Sequence, residues 1–216
     1  MAAMACVAVA INPLLFQNGL PIDERLTFYL PHHAYDAYWF ARGYVPWWNF
    51  YSYFGSPAIA THQFAFFYPP NRLFHALFNA VLAQKISNVF HVFIAGAFMM
   101  LYLQRMRTHW VAAFLAGVVY TCSGHLIAKE AHVPHHHTAS LMPVLFFFIE
   151  GFLRRRRVAD FAGIALTYAL AIFAGYMHVV VLMGFAAAIY GLAWVLVRRR
   201  VTAVLLVGLA ILWGGA

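Results

Sequence analysis

This chain is poor in charge, in acid and in cysteine. Only 9% of its 216 residues are Asp, Glu, Lys or Arg, and six are acidic. With 64% hydrophobic residues and a mean hydropathy of +0.74, that scarcity excludes a soluble domain of this length and implies an integral membrane protein. The two cysteines, Cys6 and Cys122, lie in apolar or helix-end positions without metal-ligand spacing, which argues against a disulfide framework. The apolar stretch Met1 to Phe16 lacks a basic leader region and runs into Asn12-Pro13 instead of a cleavage site. It reads as a short first transmembrane helix and not as a secretory signal. Neither repeats nor low-complexity linkers divide the chain, so residues 1–216 read as a single transmembrane domain.

The formal charge is +8, but most of the arginines sit in short clusters between apolar runs. That distribution belongs to membrane loops and excludes nucleic acid as a partner. The clusters are Arg105/Arg107, Arg154 to Arg157 and Arg198 to Arg200. Successive clusters are roughly 45 residues apart, room for two spans of about 20 residues and a turn. All three therefore fall on one side, which the positive-inside rule makes cytoplasmic. The expected spans are Ala3 to Phe16, Ser87 to Leu103, Trp110 to Ser123, Ala139 to Leu153, Phe161 to Tyr176 and His178 to Val197, with a seventh from Val201. The expected fold class is all-α, a polytopic transmembrane helical bundle of about seven spans with a large first extracytoplasmic loop. That loop covers residues 17–86, and a second external loop covers residues 124–138. Residues 72–84 carry apolar side chains at helical spacing and read as an interfacial helix or as part of the second span. Because the chain stops in or just after an apolar run, it is expected to be a piece of a longer protein.

The first loop holds three of the six acids (Asp23, Glu24, Asp36) and three of the six tryptophans (Trp39, Trp47, Trp48). A carboxylate pair such as Asp23-Glu24 near a membrane surface can serve as general base, orient a hydroxyl, or hold a divalent cation. It can equally be a solvated helix end neutralised by Arg25. Beyond it, glycine and proline set tight turns through a run of aromatic rings with polar edges, suited to an interface belt or to sugar stacking. The second loop offers His125, Lys129, Glu130, His132 and His135 to His137. His132 and His136 have a helical ligand spacing, but Pro134 between them argues against a continuous helix. Glu150 and Asp160, flanking the second arginine cluster, read as salt-bridge partners.

The ordered string Asp23, Tyr29-Leu30-Pro31, Gly43 through Asn49, Gly55-Ser56-Pro57, Gln63 and Phe67 through Pro70 resembles the YfhO-like family of bacterial membrane glycosyltransferases, within the GT-C class. Ser123-Gly124, His132, His136 and Ala139 through Pro143 continue it more loosely. The resemblance implies sugar transfer from a polyprenyl-phosphate donor to an extracytoplasmic glycan or lipid acceptor at the cytoplasmic (inner) membrane. It implies Asp23 as the base or acceptor-orienting residue, with Glu24 beside it. Arg25 and Arg42 would meet donor phosphate, with Arg72 a further cation. Trp47, Asn49, Gln63, Tyr68, Lys129 and His132 would bind substrate. The cofactor stays open, a divalent cation being one option. The competing expectation is a transporter or flippase for a lipid-linked sugar or similar amphiphile.

Overall fold

Apolar runs become helices, and the breaks between them follow proline, glycine and capping side chains. The computed structural model describes residues 1–12, 16–18, 20–52, 54–58, 60–198 and 201–215. Helix α1 (Ala2–Ala10) is shorter than the expected first span. At ~1.5 Å per residue it covers under half of a ~30 Å hydrocarbon layer. Pro13 supplies the sequence reason, because the residue before a proline avoids the helical region.

A π-helical turn at Arg25–Tyr29 leads into α2 (Leu30–Phe40), which carries Pro31 in its first turn. Strands β1 (Trp48–Asn49) and β2 (Ser56–Pro57) pair antiparallel, with Trp48 opposite Pro57 and Asn49 opposite Ser56. Gly55 turns this hairpin with φ of 111°. Helix α3 (Pro69–Leu77) begins on the Pro69-Pro70 pair. The described part of residues 17–86 thus includes the π-helical turn, α2, the hairpin, a 3-10 turn at His62–Phe64 and α3, and residues 80–86 already belong to α4 (Ala80–Arg105). Segment 72–84 is divided between α3 and α4, where the Asn79 side chain caps α4 by accepting from the Leu82 N–H at 3.0 Å.

The remaining helices are α5 (Trp110–Thr121), α6 (Gly124–Ala128), α7 (Val133–Ser140), α8 (Met142–Arg155), α9 (Val158–Phe173), α10 (Met177–Arg198) and α11 (Val201–Gly215). Four stretches are long and apolar enough to cross a membrane: Ala80–Arg105, Trp110–Ala128, Val133–Arg155 and Met177–Val197. Val158–Phe173 and Val204–Gly215 are apolar but shorter, so the seven expected spans reduce to four of crossing length among the described residues. The second expected loop also shrinks. Helices α6 and α7 take up most of residues 124–138 and leave 129–132 between them. Pro134 occupies the first turn of α7, where a missing N–H leaves no bond unmade, so it starts the helix instead of interrupting it.

Helix α4 is the hub and packs on α1, α3, α5, α7 and α8. Its backbone meets α5 closely, since a Cβ on Gly117 would stand 2.7 Å from the Gly96 carbonyl oxygen. Leu145, Ile149, Leu153, Ile164 and Met183 are buried between α8, α9 and α10. Val119, Phe185, Ile189, Leu196 and Leu212 point outward and are exposed, as a hydrocarbon solvent permits and water would not.

Two arginine clusters meet at one end of this bundle. Arg105 donates to Asp160 at 2.7 Å and to the Phe147 carbonyl at 2.8 Å, and Arg154 pairs with Glu150. Both acids are therefore ion-pair partners, as the sequence suggests. Arg156 donates to Thr202 Oγ1 at 3.1 Å, which ties the start of α11 to the same end. Arg199 and Arg200 of the third cluster lie outside the described residues.

Candidate functional site

At the other end of the spans, the segment after α1 meets the short link between α6 and α7. Arg25 is buried, and its guanidinium grips Asp23 with contacts of 2.5, 3.0 and 3.2 Å. The Arg25 backbone N–H donates to the same carboxylate at 2.9 Å. Arg25 Nη1 also lies 3.3 Å from Glu130, which accepts from Asn88 Nδ2 of α4 at 2.9 Å. Burial holds the Glu130 carboxyl above its ordinary pKa; Arg25 and the Asn88 bond pull it back, and Asp23 adds to the rise. One guanidinium thus joins two carboxylates from distant parts of the chain.

One turn further, the Tyr29 hydroxyl lies 3.2 Å from His132 Nε2. Burial, and then the charge of Glu24 and the neighbouring Tyr176, push the Tyr29 phenol well above its usual range, so it keeps its proton. Burial lowers the His132 pKa, with Glu24 opposing and Lys129 adding to the drop. Glu24 itself is exposed and, among the described residues, has no salt bridge or side-chain hydrogen bond. Lys129 is likewise exposed and unpaired among them.

Thr27 and Phe28, four residues after Asp23 and Glu24, line an open cleft of about 460 Å³ together with His32, Tyr35, Asn49 and Tyr51. His32 Nδ1 donates to the Phe28 carbonyl at 2.7 Å, which leaves Nε2 to accept from the Ser52 hydroxyl at 3.3 Å. Tyr35 donates to the Trp48 carbonyl at 2.9 Å, and Asn49 Oδ1 accepts from the Tyr51 N–H at 2.9 Å. Aromatic faces with hydroxyl and amide edges make a surface that suits a polar ring.

Behind the cleft lies a buried polar interior. His91 Nδ1 donates to the Ser87 carbonyl at 2.6 Å, so its Nε2 accepts from the Tyr68 hydroxyl at 2.7 Å. His91 stacks on His137 with centroids 3.8 Å apart, and Ser87 Oγ bridges His137 Nε2 at 3.2 Å and Asn71 Oδ1 at 3.1 Å. Between α2 and α3, Asp36 lies 3.6 Å from Arg72, whose guanidinium is sandwiched 4.1 Å from both the Phe40 and Phe66 rings. Burial lifts the Asp36 carboxyl to about 7 against the pull of Arg72, and depresses Arg72 to about 10. His33 and His75, with rings 5.0 Å apart, are pushed down by burial to about 3 and about 4.

The residues singled out from the sequence therefore separate. Asp23, Glu24, Arg25, Lys129 and His132 gather at the junction, and Asn49 lines the cleft. Arg42 lies over the Tyr38 ring at 3.5 Å and donates to the Tyr38 carbonyl, while the side chains of Trp47 and Gln63 are exposed. Tyr68 is buried in the histidine interior. Asn88 is not named from the sequence, while Glu130 is read there only within the histidine loop and Tyr29 only within the aromatic string. The four-residue spacing from Arg25 to Tyr29 was the available signal, since on a helical turn it puts both side chains on one face. Among the described residues, no three His, Cys, Asp or Glu side chains converge in a way that would hold a metal ion.

No match was found among curated proteins or among solved structures. A family model does match, over residues 67–216, and its description is 6-pyruvoyl-tetrahydropterin synthase related domain, membrane protein. The matched stretch carries all four membrane-length helices, the histidine interior, Glu130 and His132. Because that match covers well over half of the chain, this protein belongs to the 6-pyruvoyl-tetrahydropterin synthase related family of membrane proteins.

Proposed function

We propose that this protein is a membrane glycosyltransferase of the GT-C type, moving a sugar from a polyprenyl-phosphate donor to an acceptor outside the inner membrane. In this reading the arginine end faces the cytoplasm and the Asp23–His132 junction faces outward. The observation that carries it is Glu24: an exposed carboxylate without a salt bridge among the described residues, beside His132 and Lys129, one turn from the aromatic cleft.

The roles within the acid pair follow from that geometry. Asp23 has both carboxylate oxygens engaged by Arg25, so it serves to position the junction. Glu24 takes the proton of an acceptor hydroxyl as the oxygen attacks the anomeric carbon. The bond from that carbon to the donor phosphate oxygen breaks, and polyprenyl phosphate leaves with the electron pair. Lys129 offers the leaving phosphate a cation, since the charge of Arg25 is already matched by Asp23 and Glu130. The cleft's 460 Å³ falls in the ~300–1,000 Å³ range of small-molecule sites and would seat the acceptor sugar.

The test is transfer of labelled sugar from polyprenyl-phosphate donors in membranes expressing the wild type, Glu24→Gln or Asp23→Asn. Glu24→Gln is expected to lose ~10²–10⁴-fold in rate with the protein still folded. Transfer undiminished in that variant would remove the mechanism. The transporter or flippase reading is favoured by one feature, the polar groups of Ser87, His91 and His137 buried between helices. Substrate movement across vesicles without any transfer would select it.

A further inference from the structure

Arg105, Arg107, Arg154 and Arg155 line a cleft of about 570 Å³ at the arginine end, with Leu101 and Phe147 among its apolar walls. Topology alone would be satisfied by arginines on loops pointing anywhere into water. Here four converge on one concavity built from the ends of α4 and α8. Two of the four charges are matched within the fold, Arg105 by Asp160 and Arg154 by Glu150. Arg105 is further fixed by the Phe147 carbonyl and by the Phe147 ring, 3.4 Å from its guanidinium carbon. Arg107 and Arg155 have no carboxylate partner among the described residues. The carbonyl ends of α4 and α8 each contribute about half a negative charge. Arg156 and Arg157 on the adjoining turn offset that, so the cleft keeps a positive surplus.

We infer that this cleft binds the phosphate of an anionic phospholipid headgroup. Arg107 and Arg155 supply the unmatched charges, and Leu101 and Phe147 lie against the start of the acyl chain. An amphiphile fits because the lining is guanidinium at one side and hydrocarbon at the other, beside helices whose outer faces meet lipid. Basic pockets between spanning helices recognise headgroup phosphates in this way. The site lies at the opposite end from the Glu24 junction and does not depend on the proposed transfer reaction.

The experiment uses the full chain in nanodiscs of phosphatidylcholine doped with phosphatidylglycerol, with bound lipid counted by native mass spectrometry after release into detergent. Wild type is expected to retain phosphatidylglycerol over phosphatidylcholine. The Arg107→Gln/Arg155→Gln variant is expected to bind it about tenfold more weakly, at roughly a few-fold per lost cation. Neither arginine makes an ion pair among the described residues, so the variant's thermal midpoint in pure phosphatidylcholine should match wild type. If the double variant does not fold, Arg107→Gln alone is expected to weaken retention about threefold. Equal retention by wild type and variant would overturn the inference, as would equal retention of the two lipids by wild type. A further arm adds inorganic phosphate at millimolar concentration. Stabilisation by it equal to that given by phosphatidylglycerol would assign the cleft to soluble phosphates and overturn the lipid assignment.

Discussion

The hydroxyl of Tyr29 and Nε2 of His132 lie 3.2 Å apart although 103 positions separate them in the chain. Next to them, Arg25 reaches Glu130 at 3.3 Å. Both contacts run from the π-helical turn to the four residues between α6 and α7, so the same small junction is held by an ion pair and by a ring contact. Its stability depends on Arg25, whose side chain is only 7% exposed.

Arg25→Gln should therefore destabilise the protein by ~2–4 kcal/mol, because it leaves Asp23 and Glu130 without a countercharge in a half-buried setting. Thermal unfolding in detergent measures this. Adding Glu130→Gln to the Arg25→Gln background should recover part of the loss, since one unpaired carboxylate is removed. No recovery would mean that the two side chains act independently.

Asp36 gives a pH dependence with a definite sign. Its carboxyl titrates near 7 in the folded protein and near 3.8 when unfolded. Its contribution is fully present below about 4 and is lost as pH rises toward 7. Asp36→Asn has no such loss. The difference in melting temperature, variant minus wild type, should increase from pH 4 to pH 7 and level off above it. Arg72 titrates near 10 and stays charged throughout that window. A difference that does not vary with pH would show that Asp36 is ionised in the folded protein across the whole range.

Tyr68→Phe tests the histidine interior. The change leaves His91 Nε2 buried without its donor, at an expected ~1–3 kcal/mol. Denaturation in mixed micelles reads it. Unchanged stability would mean that another hydrogen-bond donor reaches that nitrogen.

Gly55→Ala should disturb the β1–β2 hairpin in two ways. The φ of 111° disfavours any L side chain, and a Cβ there would stand 2.7 Å from Trp48 Nε1. A loss above ~1 kcal/mol is expected, with a shift in tryptophan emission from the displaced indole. Wild-type emission and stability in the variant would rule out that packing.

Much of the fold was legible in the sequence because its signals are local. Apolar runs set the helices, since each residue's transfer into hydrocarbon adds independently of its partners. Glu150 is within one turn of Arg154, so that pairing was readable at short range, whereas Asp160 pairs with the distant Arg105 and not with the arginine run beside it. Pro134 argued against a helix running through both His132 and His136, and α7 does begin at Val133, with His132 as its N-cap and Pro134 in its first turn.

The candidate site divides along the same line. The sequence by itself determined that the chain belongs in a membrane, that its arginines gather at helix ends, and that acids and aromatic rings concentrate between Asp23 and Asn71. The sequence already offered Arg25 as the cation neutralising the acid pair; tertiary structure decided that Tyr68 is buried on His91 and that Glu130 rather than Asp36 joins the junction. Those outcomes depend on which side chains α4 and α7 bring against the first segment. The charge partner of Glu130 lies about a hundred residues away, and no local pattern records it.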